Sequence, residues 1–257
     1  MPLKFLPVND SKLVTLHCLS KEILIWELFK NDETQYHKVA SLAGHTAFIN
    51  EVIKLNYPTD TIASCSVDKT IKIWNMNPPY NCLYTYEGHT HIIYSVIESE
   101  SGLIVSGSID KTIRFWSKNP SKKENVVIIE NISCNQNKMV KINNKHKICV
   151  LGKNKITIIN TKSYQIESKI ILNAENNINF LNMFDNDIYF LSCETEAISL
   201  WDKEKYTKEF VYPKAHESFI NQLIPMESLG YYITLSTDKS IRIWQKVDKK
   251  RSNIVKC

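Results

Sequence analysis

Residues 63–74 read ASCSVDKTIKIW, and the same pattern returns without a gap at residues 105–116 (VSGSIDKTIRFW) and 234–244 (TLSTDKSIRIW). Each copy places a polar turn containing Asp before a short run of β-branched residues that ends in Trp. In the first copy, Ile71 and Ile73 fall on one face of a strand, while Lys72 and Trp74 fall on the other. The pattern predicts two antiparallel strands joined by a tight turn, with the Asp side chain bonded to nearby backbone.

Three weaker copies occupy residues 17–28 (HCLSKEILIWEL), 150–160 (VLGKNKITIIN) and 191–202 (LSCETEAISLWD). The strand-ending positions of all six copies are Trp26, Trp74, Trp116, Ile159, Trp201 and Trp244. Their intervals range from 42 to 48 residues. A lone hairpin is only marginally stable, so repeats of this kind must stack side by side to bury their apolar faces. A period near this length is typical of the four-stranded blade of a β-propeller.

These motifs resemble the WD-repeat (WD40) family along essentially the whole chain, strongly in three copies and weakly in three. The resemblance implies an all-β fold, with residues 1–257 forming a single β-propeller domain of four-stranded antiparallel blades. Six blades are expected, and seven blades, or an open ring completed by a partner protein, are the alternatives.

How the ring closes is a separate expectation. The first copy begins with an inner strand near Leu3–Phe5, which would leave its blade one outer strand short. Residues Ser252–Lys256 are the expected donor, because an open sheet edge favours aggregation. A solvated basic end at Lys249–Arg251 is the alternative reading of this tail.

Each strong copy also carries a His, a hydroxyl residue, an Asp and a Trp at matching spacings. The sets are His45, Ser64, Asp68 and Trp74; His89, Ser106, Asp110 and Trp116; and His216, Thr234, Asp238 and Trp244. A hydroxyl, an imidazole and a carboxylate make up a hydrolase triad, but a triad occurs once per active site, whereas this combination recurs with the repeat. The family resemblance implies a buried hydrogen-bonded chain within each blade, so we interpret the sets as structural.

The three weaker copies lack this combination at the same spacing. The Asp and hydroxyl positions hold Ser20 and Leu16 in the first copy and Thr195 and Leu191 in the fifth. In the fourth copy Lys153 and Ile159 replace the Asp and the Trp. We expect these blades to depend on apolar packing, through residues such as Ile148, Val150, Ile156, Ile158 and Ile170.

The resemblance also implies a docking surface on the Gly-His side of the blades. The family's positions fall three and five residues after the His and one before the Asp. In this chain the rim residues are Phe48, Asn50, Val67, Ile92, Tyr94, Ile109, Phe219, Asn221 and Thr237. Several are apolar or aromatic, which is typical of interface hot spots. The alternative is that some of them pack inward at the channel mouth.

Composition and charge narrow the classes of function. The seven cysteines have irregular spacing and no CxxC pair, which favours a reducing intracellular compartment, cytoplasmic rather than nuclear. No signal peptide and no membrane span are evident in the sequence. The formal net charge of +5 is too small to indicate nucleic-acid binding by itself. No metal-ligand cluster, phosphate-binding loop or unique nucleophile is evident, so no metal, cofactor, catalytic residue or small-molecule substrate is expected.

The sequence therefore favours a non-enzymatic scaffold or adaptor subunit of a multiprotein complex, binding one or more proteins through the rim. The alternative is a subunit associated with RNA or a ribonucleoprotein, since residues 138–155 contain several lysines and no acidic residue. These lysines are Lys138, Lys141, Lys145, Lys147, Lys153 and Lys155. They are expected on one side of the fourth blade, where a solvated face is the competing interpretation.

Overall fold

The computed structural model describes residues 2–30, 34–56, 59–118, 127–132, 139–142, 146–152, 155–171, 180–184, 189–193, 196–202, 205, 208–226 and 231–245. The regular elements in these residues are β-strands, which form six antiparallel sheets in succession along the chain. Neighbouring strands of each sheet are also consecutive in sequence. The chain is an all-β protein built of β-propeller blades, as the repeat predicted. Nowhere in these ranges does a helix occur that is long and apolar enough to span a membrane.

The chain divides into two compact units, Met1–Asn137 and Lys138–Cys257. The first unit contains three four-stranded sheets. Blade 1 comprises β1 (Pro2–Pro7), β2 (Lys12–His17), β3 (Ile23–Lys30) and β4 (Thr34–Leu42). Blade 2 comprises β5 (Ile49–Lys54), β6 (Thr61–Ser66), β7 (Ile71–Asn75) and β8 (Cys82–Tyr86). Blade 3 comprises β9 (Ile93–Glu98), β10 (Ile104–Ser108), β11 (Ile113–Trp116) and β12 (Val127–Ile129). The innermost strand of blade 2 contacts those of blades 1 and 3.

The second unit also contains three sheets. Blade 4 comprises β13 (Met139–Ile142), β14 (Lys147–Gly152), β15 (Lys155–Asn160) and β16 (Ile166–Ile171). Blade 5 comprises β17 (Phe180–Phe184), β18 (Tyr189–Cys193), β19 (Ile198–Asp202) and β20 (Lys208–Tyr212). Blade 6 comprises β21 (Ile220–Met226), β22 (Tyr231–Ser236) and β23 (Ile241–Gln245), three strands within the described residues. That residues 1–257 form one domain stays a prediction.

The blades are buried on both faces, and the strand-ending Trp packs against the preceding blade. In blade 2, Ile71 and Ile73 pack with Trp116 of blade 3, whereas Trp74 packs on the opposite face with Ile25 of blade 1. Complete burial of one such Ile side chain contributes about 1.5–3 kcal/mol. The three blades of the first unit are therefore held together by the side-chain alternation that the hairpin sequence already shows.

The expectation of an incomplete first blade is wrong. The segment Thr34–Leu42 forms β4 and pairs with β3 along its whole length, so blade 1 obtains four strands from consecutive residues. The sequence repeat and the blade are staggered by one strand, because the segment upstream of each strong hairpin includes the outer strand of the blade before it. The tail segments Lys249–Arg251 and Ser252–Lys256 lie outside the described residues.

Candidate functional site

The first His-Ser-Asp-Trp set lies in blade 2, where side chains from three segments meet. His45 precedes β5, Ser64 lies on β6, Asp68 lies in the β6–β7 turn, and Trp74 lies on β7. His45 Nδ1 is 2.7 Å from Asp68 Oδ2, and His45 Nε2 is 2.8 Å from Ser64 Oγ. Trp74 Nε1–H donates to Ser64 Oγ at 2.7 Å. The four side chains thus form one continuous hydrogen-bonded chain across the blade.

The direction of these hydrogen bonds fixes the protonation state of the imidazole. The carboxylate only accepts, so His45 donates from Nδ1 to Asp68, and a neutral ring then accepts the Ser64 hydroxyl proton at Nε2. Burial and the charge of Lys72 lower the pKa of His45, and together they outweigh the hydrogen bond and charge of Asp68, which raise it. The neutral imidazole is therefore the form that the blade holds.

Asp68 also fixes the turn in which it lies. Its carboxylate accepts hydrogen bonds from Thr46 N–H at 3.0 Å, Thr70 N–H at 2.9 Å and Thr70 Oγ1–H at 2.7 Å. Burial by itself would raise the pKa of Asp68, but the hydrogen bonds from Thr70 and His45 outweigh it and lower the pKa. The carboxylate joins the loop before β5 to the β6–β7 turn.

Blade 3 repeats this geometry. His89 Nδ1 is 2.7 Å from Asp110 Oδ2, His89 Nε2 is 2.7 Å from Ser106 Oγ, and Trp116 Nε1–H donates to Ser106 Oγ at 2.8 Å. Burial acts to raise the pKa of Asp110, yet hydrogen bonds from Thr112 and His89 prevail and lower it to about 2. Burial also lowers the pKa of His89.

Blade 6 holds the third set, with Thr in place of Ser. His216 Nδ1 is 2.9 Å from Asp238 Oδ2, His216 Nε2 is 2.6 Å from Thr234 Oγ1, and Trp244 Nε1–H donates to Thr234 Oγ1 at 2.8 Å. The pKa of Asp238 lies well below its usual range, because hydrogen bonds led by Ser240 outweigh the effect of burial. All three predicted sets are thus brought together, and their structural role stays a prediction.

These sets do not expose a nucleophile. Ser64, Ser106 and Thr234 have 0% of their surface exposed, and each hydroxyl oxygen already accepts an indole N–H. A substrate carbonyl has no access to such an oxygen. The sets therefore resemble a hydrolase triad only in the order of their hydrogen bonds.

The glycines before His45 and His89 allow the Trp rings to approach the backbone. Gly44 and Gly88 have φ values of +157° and +150°, which side chains rarely adopt. A Cβ atom on Gly88 would lie 2.6 Å from Arg114 Nη1 and 3.2 Å from the Trp116 ring. Glycine is therefore favoured at both places by the backbone conformation, and any side chain there would also require the Trp ring to shift slightly.

Blade 1 contains part of the network, at a residue that sequence spacing did not identify. Trp26 Nε1–H donates to Thr15 Oγ1 at 2.8 Å, whereas the spacing had assigned the hydroxyl position to Leu16. The register explains the difference, since Trp26 pairs with Leu13 as Trp74 pairs with Ile62. The β2–β3 connection is one residue longer than the β6–β7 connection, which shifts the hydroxyl position by one.

The same register analysis changes the assignment in blade 5. Trp201 pairs with Phe190, so the position equivalent to Ser64 on β18 is Ser192 and not Leu191. Thr195 and Lys153 lie outside the described residues. In blade 4 the equivalent position is Val150, and the predicted apolar packing is present. Ile148, Val150, Ile156 and Ile158 are 0% exposed and Ile170 is half-buried.

The rim residues are placed unevenly. Phe48 is 39% exposed and Phe219 is 55% exposed, each in the loop before an innermost strand. The Phe48 carbonyl accepts the Val67 N–H at 2.9 Å, and the Phe219 carbonyl accepts the Thr237 N–H at 2.9 Å. Thr237 is exposed, whereas four rim residues are half-buried: Val67, Ile92, Tyr94 and Ile109.

The Asn50 side chain links two neighbouring blades. Its Nδ2 group donates to the Ile93 carbonyl at 2.8 Å, which connects blade 2 to the start of β9 in blade 3. The Asn221 side chain lies outside what the structure describes. One surface residue was missed by sequence reasoning, since Leu19 in the β2–β3 connection is 65% exposed. Blade 1 has no Asp at the position that was used to define the rim, so no sequence signal pointed to Leu19.

The described lysines of blade 4 do not all lie on one side of the sheet. Ile142 pairs with Lys147 and Lys141 with Ile148, so Lys141 and Lys147 belong to opposite faces of the sheet. Lys147 and Lys155 lie at opposite ends of the β14–β15 hairpin. Lys147 Nζ also forms an ion pair with Glu167 Oε2 at 2.5 Å. By the same register Lys155, which pairs with Gly152, shares the face of Lys141, so the expectation of a one-sided patch is wrong for Lys147. Lys138, Lys145 and Lys153 are not described.

Comparison with known proteins agrees with this architecture. The family model "WD domain, G-beta repeat" (WD40) matches residues 36–75 and 80–117. The chain is 34% identical over 78 residues to the small ribosomal subunit protein RACK1 of Dictyostelium discoideum, an alignment covering 28% of this chain and 24% of that protein. It is 33% identical over 84 residues to the nuclear distribution protein PAC1 of Candida albicans, covering 33% of this chain and 16% of that protein.

The chain thus spans a quarter or less of the length of these curated relatives. The first matched segment runs from β4 to β7 and the second from β8 to β11. Each contains one complete His-Ser-Asp-Trp set together with the outer strand of the preceding blade. These matches show that the chain contains WD40 repeats in two places, residues 36–75 and 80–117.

Proposed function

We propose that this chain is a non-enzymatic scaffold that holds partner proteins on the loops carrying Phe48 and Phe219. The observation that supports it best is the exposure of these two large aromatic side chains, 39% and 55%, on loops whose backbone is hydrogen-bonded. An exposed aromatic side chain on a rigid loop binds a partner with little loss of conformational entropy. Aromatic residues of this kind are enriched among interface hot spots.

The energy available from these side chains is enough to be measured. A Phe side chain buries roughly 150–250 Å² when it is fully covered, at about 25 cal/mol per Å². Covering the exposed part of Phe48 or Phe219 therefore contributes about 2 kcal/mol each, roughly a thirtyfold change in Kd. We expect the protein to act in the cytoplasm, in keeping with the cysteine pattern of the sequence.

The test is the recovery of partner proteins by the tagged full chain after crosslinking, identified by mass spectrometry. Phe48→Ser and Phe219→Ser, singly and together, are compared with wild type and with Tyr36→Ser, a matched control. Tyr36 is 46% exposed on the outer strand β4, away from the rim residues. We expect the double variant to lose partners that wild type and Tyr36→Ser retain. Equal recovery by correctly folded variants would overturn the proposal.

Association with RNA is the second candidate, and it has weaker support. One relative is named as a ribosomal subunit protein, but only Lys141 and Lys155 among the described lysines of blade 4 share a face. The third, Lys147, lies on the opposite face and is ion-paired. RNA binding through phosphate contacts depends steeply on salt. Retention of the chain on mixed RNA at low salt, lost in a Lys141→Ala and Lys155→Ala variant, would favour this candidate over the scaffold.

A further inference from the structure

Three loops of the first unit are linked to one another by hydrogen bonds, and each carries an apolar side chain that is exposed or half-buried. The Ile49 N–H donates to the Ser20 carbonyl at 2.9 Å, which ties the loop carrying Leu19 to the loop carrying Phe48. The Asn50 side chain donates to the Ile93 carbonyl at 2.8 Å, which ties the second loop to the one carrying Ile92. Leu19, Phe48 and Ile92 therefore lie on consecutive blades joined by direct hydrogen bonds.

Each of the last two loops is also fixed to the turn of its own blade. The Val67 N–H donates to the Phe48 carbonyl at 2.9 Å, and the Ile109 N–H donates to the Ile92 carbonyl at 3.1 Å. We call Leu19, Phe48, Val67, Ile92 and Ile109 the loop surface. Its backbone is held by the fold, so its shape exists before a partner arrives.

Two cations border the loop surface. Lys69 and Lys111 are exposed and follow Asp68 and Asp110 in their turns. Within the described part of the chain no carboxylate pairs with either ammonium group. The Asp68 and Asp110 side chains are only 6% and 4% exposed and are bonded inside the blade. Two exposed ammonium groups therefore border the loop surface, each next to a carboxylate that is bonded within the blade.

Both lysines have a backbone conformation that glycine adopts more easily. Lys69 and Lys111 have φ values of 71° and 67°, in the left-handed region that favours glycine. A lysine held in this conformation carries a steric cost that glycine would not. Other non-glycine residues, such as Leu19 and Tyr80, share this conformation, and its consequence here is that glycine can replace either lysine without backbone strain.

From this arrangement, and on the basis of the proposed scaffold function, we infer that the loop surface binds an extended protein segment that combines large apolar side chains with carboxylates. The apolar side chains contact Leu19, Phe48 and Ile92, and the carboxylates pair with Lys69 and Lys111. The rigid loops supply the contact area, while the two exposed cations select acidic segments over neutral and basic ones.

The test uses short random peptides displayed on phage and selected against the immobilised full chain. The most enriched peptide is then labelled, and its Kd is measured by fluorescence anisotropy at low and high salt. We expect enriched peptides to carry net negative charge and at least one large apolar residue. The variant Lys69→Gly with Lys111→Gly should bind about fivefold more weakly at low salt, with the difference shrinking as salt screens the charges.

Glycine relieves the backbone at both positions, so this variant should unfold at an equal or higher urea concentration than wild type. A loss of affinity therefore cannot be attributed to unfolding. Lys38→Ala, an exposed lysine on β4, is the matched charge control and should leave Kd unchanged.

The failure of this inference is distinguishable from the failure of the scaffold proposal. Neutral or basic peptides that need Phe48, with Kd unchanged in the glycine variant, would overturn the preference for acidic segments and leave the scaffold standing. Binding that is also unchanged in Phe48→Ser, or no enrichment at all, would overturn both.

Discussion

Replacing Asp68 with Ala should lower the free energy of unfolding of the first unit. The change removes the acceptor of the His45 Nδ1–H at 2.7 Å, of the Thr46 N–H at 3.0 Å and of the two Thr70 donors. Thr46 is exposed, so water replaces its lost partner. The His45 side chain is 0% exposed, and its Nδ1–H keeps only the more distant Thr70 Oγ1, at 3.3 Å, as an acceptor.

The magnitude follows from these contacts. An unsatisfied buried donor costs about 1–3 kcal/mol, and loss of the turn-forming bonds to Thr70 adds about 1 kcal/mol. We therefore expect Asp68→Ala to lower the free energy of unfolding by about 3 kcal/mol. In a chain of this size, that lowers Tm by about 6–12 °C. Asp68→Asn keeps one acceptor oxygen, so it should cost about half as much.

Urea unfolding followed by Trp fluorescence measures this change. Asp10→Ala is the matched control, because Asp10 is exposed and makes no contact within the described residues. If Asp68→Ala shifts the urea midpoint no more than Asp10→Ala does, the network does not stabilise the blade. The interpretation of the His-Ser-Asp-Trp sets as structural would then be wrong.

Two further predictions follow from the same network. Thr15→Val keeps the shape of the side chain but removes the acceptor of the Trp26 indole N–H at 2.8 Å. Thermal unfolding should therefore show that the free energy of unfolding falls by about 1 kcal/mol. An unchanged free energy of unfolding would mean that this hydrogen bond does not stabilise the blade. Acid should also destabilise the fold in two steps. The pKa values of His45 and His89 are lowered in the fold, so the unfolded chain binds their protons first and stability falls as pH drops below about 6.5. The carboxylates act in the same direction at lower pH, since the pKa of Asp110 is lowered to about 2. Urea midpoints that stay constant from pH 7.5 to pH 5 would contradict the first step.

The three strong sets were predictable because they depend on local sequence. The hairpin connections of blades 2, 3 and 6 have the same length, so equal spacing in sequence means equal register in the sheet. His45, Ser64, Asp68 and Trp74 therefore meet as the spacing indicated.

Thr15 could not be found in this way. The β2–β3 connection is one residue longer, and one residue moves a hydroxyl to the opposite face of a strand. Counting back from Trp26 by the spacing of the strong copies gives Leu16, which carries no acceptor. Only the cross-strand pairing of Trp26 with Leu13 identifies Thr15 as the partner.

The contacts and exposure of the surface residues also could not be predicted from the sequence. Asn50 was expected at the rim, but its amide donates to the neighbouring blade. Leu19 was not expected there, yet it is 65% exposed beside the loop of Phe48. Exposure depends on which loops lie next to each other, and that is set by contacts between blades.

By itself, the sequence determined the all-β class, the repeat and the alternation that gives each blade two apolar faces, because these features depend on residues close together in the chain. Only the tertiary structure decided that β4 completes blade 1, that Trp74 packs against blade 1 while Ile71 packs against blade 3, and that Lys141 and Lys147 lie on opposite faces of blade 4. These features depend on register and on contacts between distant segments. A one-residue change in a turn reverses which face a side chain occupies, so local patterns leave them undetermined.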